Sequence, residues 1–231
     1  MSKTFSNRVG RTEEFSVECP AKTQVISGGY LATTELLITK STFDKKGWSV
    51  VTTNQGKKAA DITITAVCSV INPRFVKLVE NKEQVPAGVS FTSKMVCPKD
   101  MVPIISGYTM PNDGSLKLGS ISRDEKSYTY TVQNSTDKKQ KLSFSMICMP
   151  NLSGTQSHTD TTYDLKAQEL TTLTMKCAQA KAQAVDALIK LPGNVNLIGS
   201  QPIFGNWEVT LFNAAKDDVE VKVSLFCYQT R

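Results

Sequence analysis

The sequence predicts an all-β protein built from three antiparallel sheets in a pseudo-threefold arrangement, and three observations predict it. First, the stretch at 48–68 (WSVVTTNQGKKAADITITAVC) recurs at 128–148 (YTYTVQNSTDKKQKLSFSMIC) and at 207–227 (WEVTLFNAAKDDVEVKVSLFC) without insertion or deletion. Each copy opens on an aromatic residue (Trp48, Tyr128, Trp207), carries Asn54, Asn134 or Asn213 after it, and closes on Cys. Second, apolar residues alternate with a period of two throughout each copy, the mark of half-buried antiparallel strands. Third, the end repeats are as apolar as the middle one. A linear stack would need polar caps, whereas closure into a three-sided body needs none.

One domain of three repeats follows, at 14–70, 85–149 and 165–228. Phe15, Val17 and Cys19 share one face of an early strand in repeat 1, matched by Phe91, Met95 and Cys97 and by Leu173, Met175 and Cys177. A strand around Val25–Tyr30 has counterparts around Ile104–Tyr108 and Val185–Leu188. Its Gly-Tyr step suggests a bulge or a close backbone approach, because Gly has no side chain to pack. Another strand ends near Ser41, Ser120 and Ser200. The aromatic strand (Trp48, Val50, Thr52 in repeat 1) is assigned to the core. The last strand shows Ile62, Ile64, Ala66 and Cys68 on one face, as it does Val221, Val223, Leu225 and Cys227. Asn54, Asn134 and Asn213 are read as turn residues, since Asn tolerates the left-handed region and bonds its own backbone. Residues 176–191 are the one segment with any helical look, and alignment with the other copies favours strand. This reading gives about four strands per repeat, with a single apolar face to be covered by the neighbouring repeats. The connectors, marked by Phe75, Val76, Leu78 and Val85 and by Tyr163, Leu165 and Ala167, each add a strand or brace a joint. Repeats 1 and 3 should touch, with the chain ends near one joint.

Six cysteines fall into three equivalent pairs, Cys19 and Cys68, Cys97 and Cys148, Cys177 and Cys227. Both members of a pair share parity with the core face, so a disulfide inside each repeat is favoured. Closing a loop of some fifty residues contributes about 4 kcal/mol in the chain-entropy picture. Buried thiols are the alternative. A metal site is opposed by the lack of Cys-x-x-Cys and by the presence of a single His.

Composition excludes several classes. No apolar run approaches the roughly 18 residues of a membrane span. The net charge of +6 comes mainly from Lys, with few Arg, whereas nucleic-acid readers favour the Arg fork. The pairs Lys45-Lys46, Lys57-Lys58 and Lys138-Lys139 read as solvated turns, and in repeat 3 the turn equivalent to the last two carries Asp217-Asp218. His158 lies in a polar connector without a nucleophile elbow, and no phosphate or dinucleotide fingerprint occurs. No catalytic, cofactor or metal residues are assigned. The sequons at Asn134 and Asn151 are what chance gives in a Ser/Thr-rich chain. The N-terminus shows no signal-peptide core, which conflicts with disulfides unless the chain is oxidised after release, as in a virion, or a signal has been removed.

The skeleton of Cys-Pro (Cys19-Pro20, Cys97-Pro98), Gly-aromatic (Gly29-Tyr30, Gly107-Tyr108), aromatic, Asn and closing Cys resembles a repeat of secreted bacterial proteins. It is also similar to the vitelline membrane outer layer proteins, a resemblance that implies a β-prism of three sheets. Repeat 3 departs from it at Cys177-Ala178 and, in this alignment, at Ala187-Leu188. The sugar-binding signature of mannose-specific β-prism lectins is absent. The expectation is a non-enzymatic structural or binding module without cofactor. As a virion component (capsid decoration or fibre protein) it would meet capsid or other structural subunits; as a secreted carbohydrate-binding protein it would meet a glycan.

Overall fold

A computed structural model describes residues 1–44, 46–70, 75–150, 154–179 and 182–230. Lys45 and the Asn151 sequon lie outside them. Repeat 1 contributes β1 (Ser2–Asn7), β2 (Thr12–Glu18), β3 (Gln24–Ala32), β4 (Leu36–Phe43), β5 (Gly47–Asn54) and β6 (Ala60–Ser69). Repeat 2 follows with β7 (Lys77–Val85), β8 (Ser90–Val96), β9 (Met101–Thr109), β10 (Leu116–Arg123), β11 (Ser127–Asn134) and β12 (Gln140–Pro150). Repeat 3 supplies β13 (Gly154–Leu165), β14 (Leu170–Met175), β15 (Gln183–Lys190), β16 (Val195–Ile203), β17 (Asn206–Asn213) and β18 (Val219–Thr230). Residues 183–190, in the segment with a helical look, are therefore strand. No helix among the described residues is long and apolar enough to cross a membrane.

The strands form three six-stranded antiparallel sheets, ordered β1-β6-β3-β16-β17-β14, β2-β5-β4-β9-β12-β7 and β13-β18-β15-β10-β11-β8. Each sheet is shared by two repeats, three strands from each. This corrects the four-strand repeat with one apolar face. A repeat has six strands, and its two half-sheets enclose a core built mainly from its own residues, joined by Ile104, Ile105 and Ile147 of repeat 2 in the first and by Leu188 of repeat 3 in the second. The sequence reading missed the leading strand of repeat 1, while both connectors add one, β7 and β13. Counted with these strands, each repeat begins ahead of residues 14, 85 and 165.

Alternation fixes which face goes inward. Trp48, Val50, Thr52 and Asn54 are all buried along β5, as are Tyr128, Tyr130, Val132 and Asn134 along β11 and Trp207, Val209, Leu211 and Asn213 along β17. Facing them from the other half-sheet stand Ile62, Ile64 and Ala66, each fully buried, and their counterparts. Phe15, at the edge, stacks on Phe5 with ring centroids 5.0 Å apart. The disulfides Cys19–Cys68, Cys97–Cys148 and Cys177–Cys227 each tie the two half-sheets of one repeat together. Three such bonds fit an extracellular or otherwise oxidising environment.

The repeats meet through short joints. Repeat 1 joins repeat 2 at Lys40↔Thr109 and Ser41↔Tyr108, and repeat 3 joins repeat 1 at Gly199↔Leu31 and Ser200↔Tyr30. Repeats 1 and 3 therefore touch, as expected. The joint between repeats 2 and 3 retains one pair, Ser120↔Lys190. Register against the closing strand shows what differs there. Gly29 lies opposite Thr65, Gly107 opposite Ser145 and Leu188 opposite Ser224, each three residues before the closing Cys. The repeat 3 counterpart of Gly-Tyr is thus Leu188-Ile189, one residue beyond the alignment made from sequence. The bulges fall earlier than the Gly, where the register skips Ile26, Ile104 and Val185. The close approach is real: a Cβ on Gly29 would sit 1.8 Å from the Ser200 carbonyl oxygen, and one on Gly107 2.8 Å from that of Ser41.

Gly29→Ala is accordingly expected to destabilise the protein by about 1–3 kcal/mol or more through overpacking, read from urea unfolding. Gly193→Ala, with nothing within 4 Å of its added Cβ, should change stability little. Equal effects of the two would mean that the joint is not close-packed.

Candidate functional site

The three marked Asn residues are structural fasteners. Asn54 Nδ2 donates to the Asn7 and Lys58 carbonyls, both at 2.9 Å. Asn134 Nδ2 reaches Val85, Pro86 and Lys138, and Asn213 Nδ2 reaches Leu165, Lys166 and Asp217. Each Oδ1 accepts the amide N–H two residues on, from Gly56, Thr136 or Ala215. None of the three has positive φ, so the left-handed region is not why Asn stands there. The side chain pins the end of the leading strand to the turn before the closing strand, and its donors and acceptor are spent inside the frame.

The aromatic residues are tied to the joints. Trp48 Nε1 donates to Ser41 Oγ at 3.2 Å and Trp207 Nε1 to Ser200 Oγ at 2.9 Å. Repeat 2 has Ile121 in place of that Ser, as the register Ser41↔Val50, Ile121↔Tyr130, Ser200↔Val209 shows. It also has Tyr128 in place of Trp, and the Tyr128 hydroxyl donates across the joint to Asp186 Oδ2 of repeat 3 at 2.5 Å. Arg123 stacks near both Tyr128 and Phe226 and donates to the Pro103 carbonyl. Burial pushes the Asp186 carboxyl up to about 7, although the Tyr128 hydrogen bond and the Arg123 charge pull it down. An Asp inside the apolar run AVDALI was the available signal for this group, and a reading by strand alternation passes over it.

Asp186 lines a small chamber of about 50 Å³ where the three repeats meet, together with Ser41, Ser106 and Ser200. A wider funnel of about 390 Å³ adjoins it, sharing Tyr30, Tyr108, Leu118, Leu191 and Leu197 as walls. Its mouth lies among the hairpins that follow β3, β9 and β15, at the end opposite Met1, the inter-repeat connectors and the disulfides. The other polar residues noted from sequence lie elsewhere. His158 is exposed on β13 and stacks on Phe226. Lys57, Lys58, Lys138 and Lys139 are exposed in turns, as are Asp217 and Asp218.

The hairpins at the connector end differ among repeats. Asp44 Oδ1 accepts the Lys46 and Gly47 amides, and Asp124 Oδ1 accepts that of Lys126. Repeat 3 replaces this capped turn by a two-residue loop, Phe204-Gly205, closed by the pair Ile203↔Asn206. Both residues have positive φ, 46° and 82°, and Phe204 is 101% exposed. Neither Phe204 nor Asp186 was singled out from sequence.

Asp186 gives the structure a pH dependence of defined sign. Its folded pKa, about 7, lies above the ordinary 3.8, so between those values the folded state holds more protons than the unfolded one. Stability therefore falls as pH rises from about 4 to about 7, by on the order of a few kcal/mol. Asp186→Asn should flatten that slope in urea melts taken across the window; identical profiles would contradict a buried, proton-holding carboxyl.

The chain matches no protein-family model and none of the curated proteins.

Proposed function

We propose that the protein is a non-enzymatic structural module that docks to a protein partner through its connector end, as a component of an extracellular assembly such as a virion. One observation carries this reading, the fully exposed Phe204 at a turn with φ of 46°. A bulky residue in the left-handed region is a conformational outlier, and such turns favour Asn, Asp or Gly. An aromatic ring that costs solvation and backbone strain, at a site where repeats 1 and 2 use an Asp-capped turn, fits a contact residue. Aromatic residues are the characteristic anchors of protein interfaces. Val70, Phe75 and Val96, also exposed, lie at the same end. The Asn side chains of the turns, which a carbohydrate-binding protein could have offered to a glycan, are engaged internally.

The test is sedimentation of extracellular particles from a culture producing the protein, comparing the native chain with Phe204→Asn. Asn suits the turn, so the variant should be at least as stable as the native protein. It should nonetheless stay at the top of the gradient while the native chain travels with the particles. Equal sedimentation of both, or a native chain that never sediments and binds glycans on an array, would overturn the proposal.

A further inference from the structure

The funnel at the opposite end has the character of a ligand site. Its walls come from all three repeats and are mostly apolar, including Leu36, Ile38, Leu118 and Leu197. Its volume of about 390 Å³ falls in the range of small-molecule sites, which are concave, mostly apolar and furnished with a few placed polar groups. The funnel's own deep walls carry no charged side chain, Asp186 belonging to the chamber beyond them. Burial raises the Tyr30 phenol well above its ordinary value and pushes that of Tyr108 up to about 12, so both remain O–H groups.

Charge enters only at the mouth. Lys117 is the one charged side chain among the described lining residues. Its Nζ donates to the Gly193 carbonyl at 2.6 Å, tying two rim hairpins together. An ammonium has three donors, so two are left for a ligand. The carboxylate of Asp113 in the adjoining hairpin is turned to its own loop, where Oδ1 accepts the Ser115 amide at 2.9 Å. The site therefore runs from a neutral apolar interior to a single cation at the rim.

We propose that this funnel binds a small amphiphile, with its alkyl body among the leucines and a single anionic headgroup at Lys117. A medium-chain monocarboxylate has this chemistry. The site lies at the opposite end from Phe204, so the inference does not depend on the docking role proposed above.

Isothermal titration of the oxidised protein with sodium decanoate below its micellar concentration tests it. Saturable binding of one decanoate per chain is expected, with none for acetate. Decyltrimethylammonium should bind about twofold to fivefold more weakly, the worth of one exposed charge pair. Lys117→Ala should weaken decanoate by a similar factor, and Leu197→Asp should abolish binding while leaving the circular dichroism spectrum unchanged. Absence of saturable decanoate binding, equal affinity for the cationic amphiphile, or an unaffected Leu197→Asp protein would each overturn the proposal. Should Leu197→Asp fail to fold, the methyl resonances of Ile38 and Leu197 in the native protein decide. Decanoate must shift them, and shifts confined to other methyl groups would overturn the assignment.

Discussion

Every feature of this molecule depends on each repeat closing on itself. Two half-sheets of three strands face each other, and their inner stripes bury Trp48, Tyr128 or Trp207 between them. A disulfide fixes the half-sheets at one end. The buried Asn side chain pins the leading strand to the turn before the closing strand at the other. Cross-linking removes freedom from the unfolded chain, and satisfied buried amides avoid a desolvation penalty of about 1–3 kcal/mol each. Because a repeat meets most of its own need for burial, the joints between repeats can be short. They can also differ from one another without loss of the fold.

The joints do differ, and the differences are correlated. Where Ser41 and Ser200 stand, the core aromatic is Trp and its indole N–H is satisfied inside its own repeat. Where Ile121 replaces Ser, Tyr128 replaces Trp and its hydroxyl finds Asp186 in the next repeat. The first two joints also carry side-chain bonds, Thr42 Oγ1 to Ser145 Oγ at 2.7 Å and Thr65 Oγ1 to Gln201 Oε1 at 3.0 Å. At the third, Ser224 occupies the place of Ser145 and Thr65 and donates to Asp160 instead. Leu188 stands there where the others have Gly, and packs into the core of repeat 2. One joint has exchanged backbone pairing for a buried polar contact and an apolar plug.

Much of this frame was legible in the sequence, because the period of two and the recurrence of Trp48, Asn54 and Cys68 are local signals repeated three times. The six strands of a repeat were not legible. β1 and β7 are edge strands whose charged and polar residues, such as Lys3 in β1 and Glu80, Lys82 and Glu83 in β7, leave little alternation to detect. The division of each repeat between two sheets was also hidden, since period two gives a strand's buried face and not its partner. The offset at Leu188 arose because Ala187 resembles Gly in size, whereas register is set by hydrogen bonding. Asp186 and Phe204 were visible as a charged residue in an apolar run and an aromatic before Gly. Their meaning comes from burial and φ, which only the folded chain supplies.

If the repeats are the units of stability, their joints should open before their cores. Native-state hydrogen exchange resolves this at equivalent amides, since the Met110 N–H donates to Thr39 at one joint and the Leu191 N–H to Gly119 at another. With increasing low denaturant, Leu191 should exchange faster than Met110. Both should exchange faster than Leu225, which lies in the clamped core of repeat 3. Local opening of this kind has a lower free energy than global unfolding. Exchange of Leu191, Met110 and Leu225 at one common free energy and one denaturant slope would contradict the account, because the prism would then unfold only as a whole.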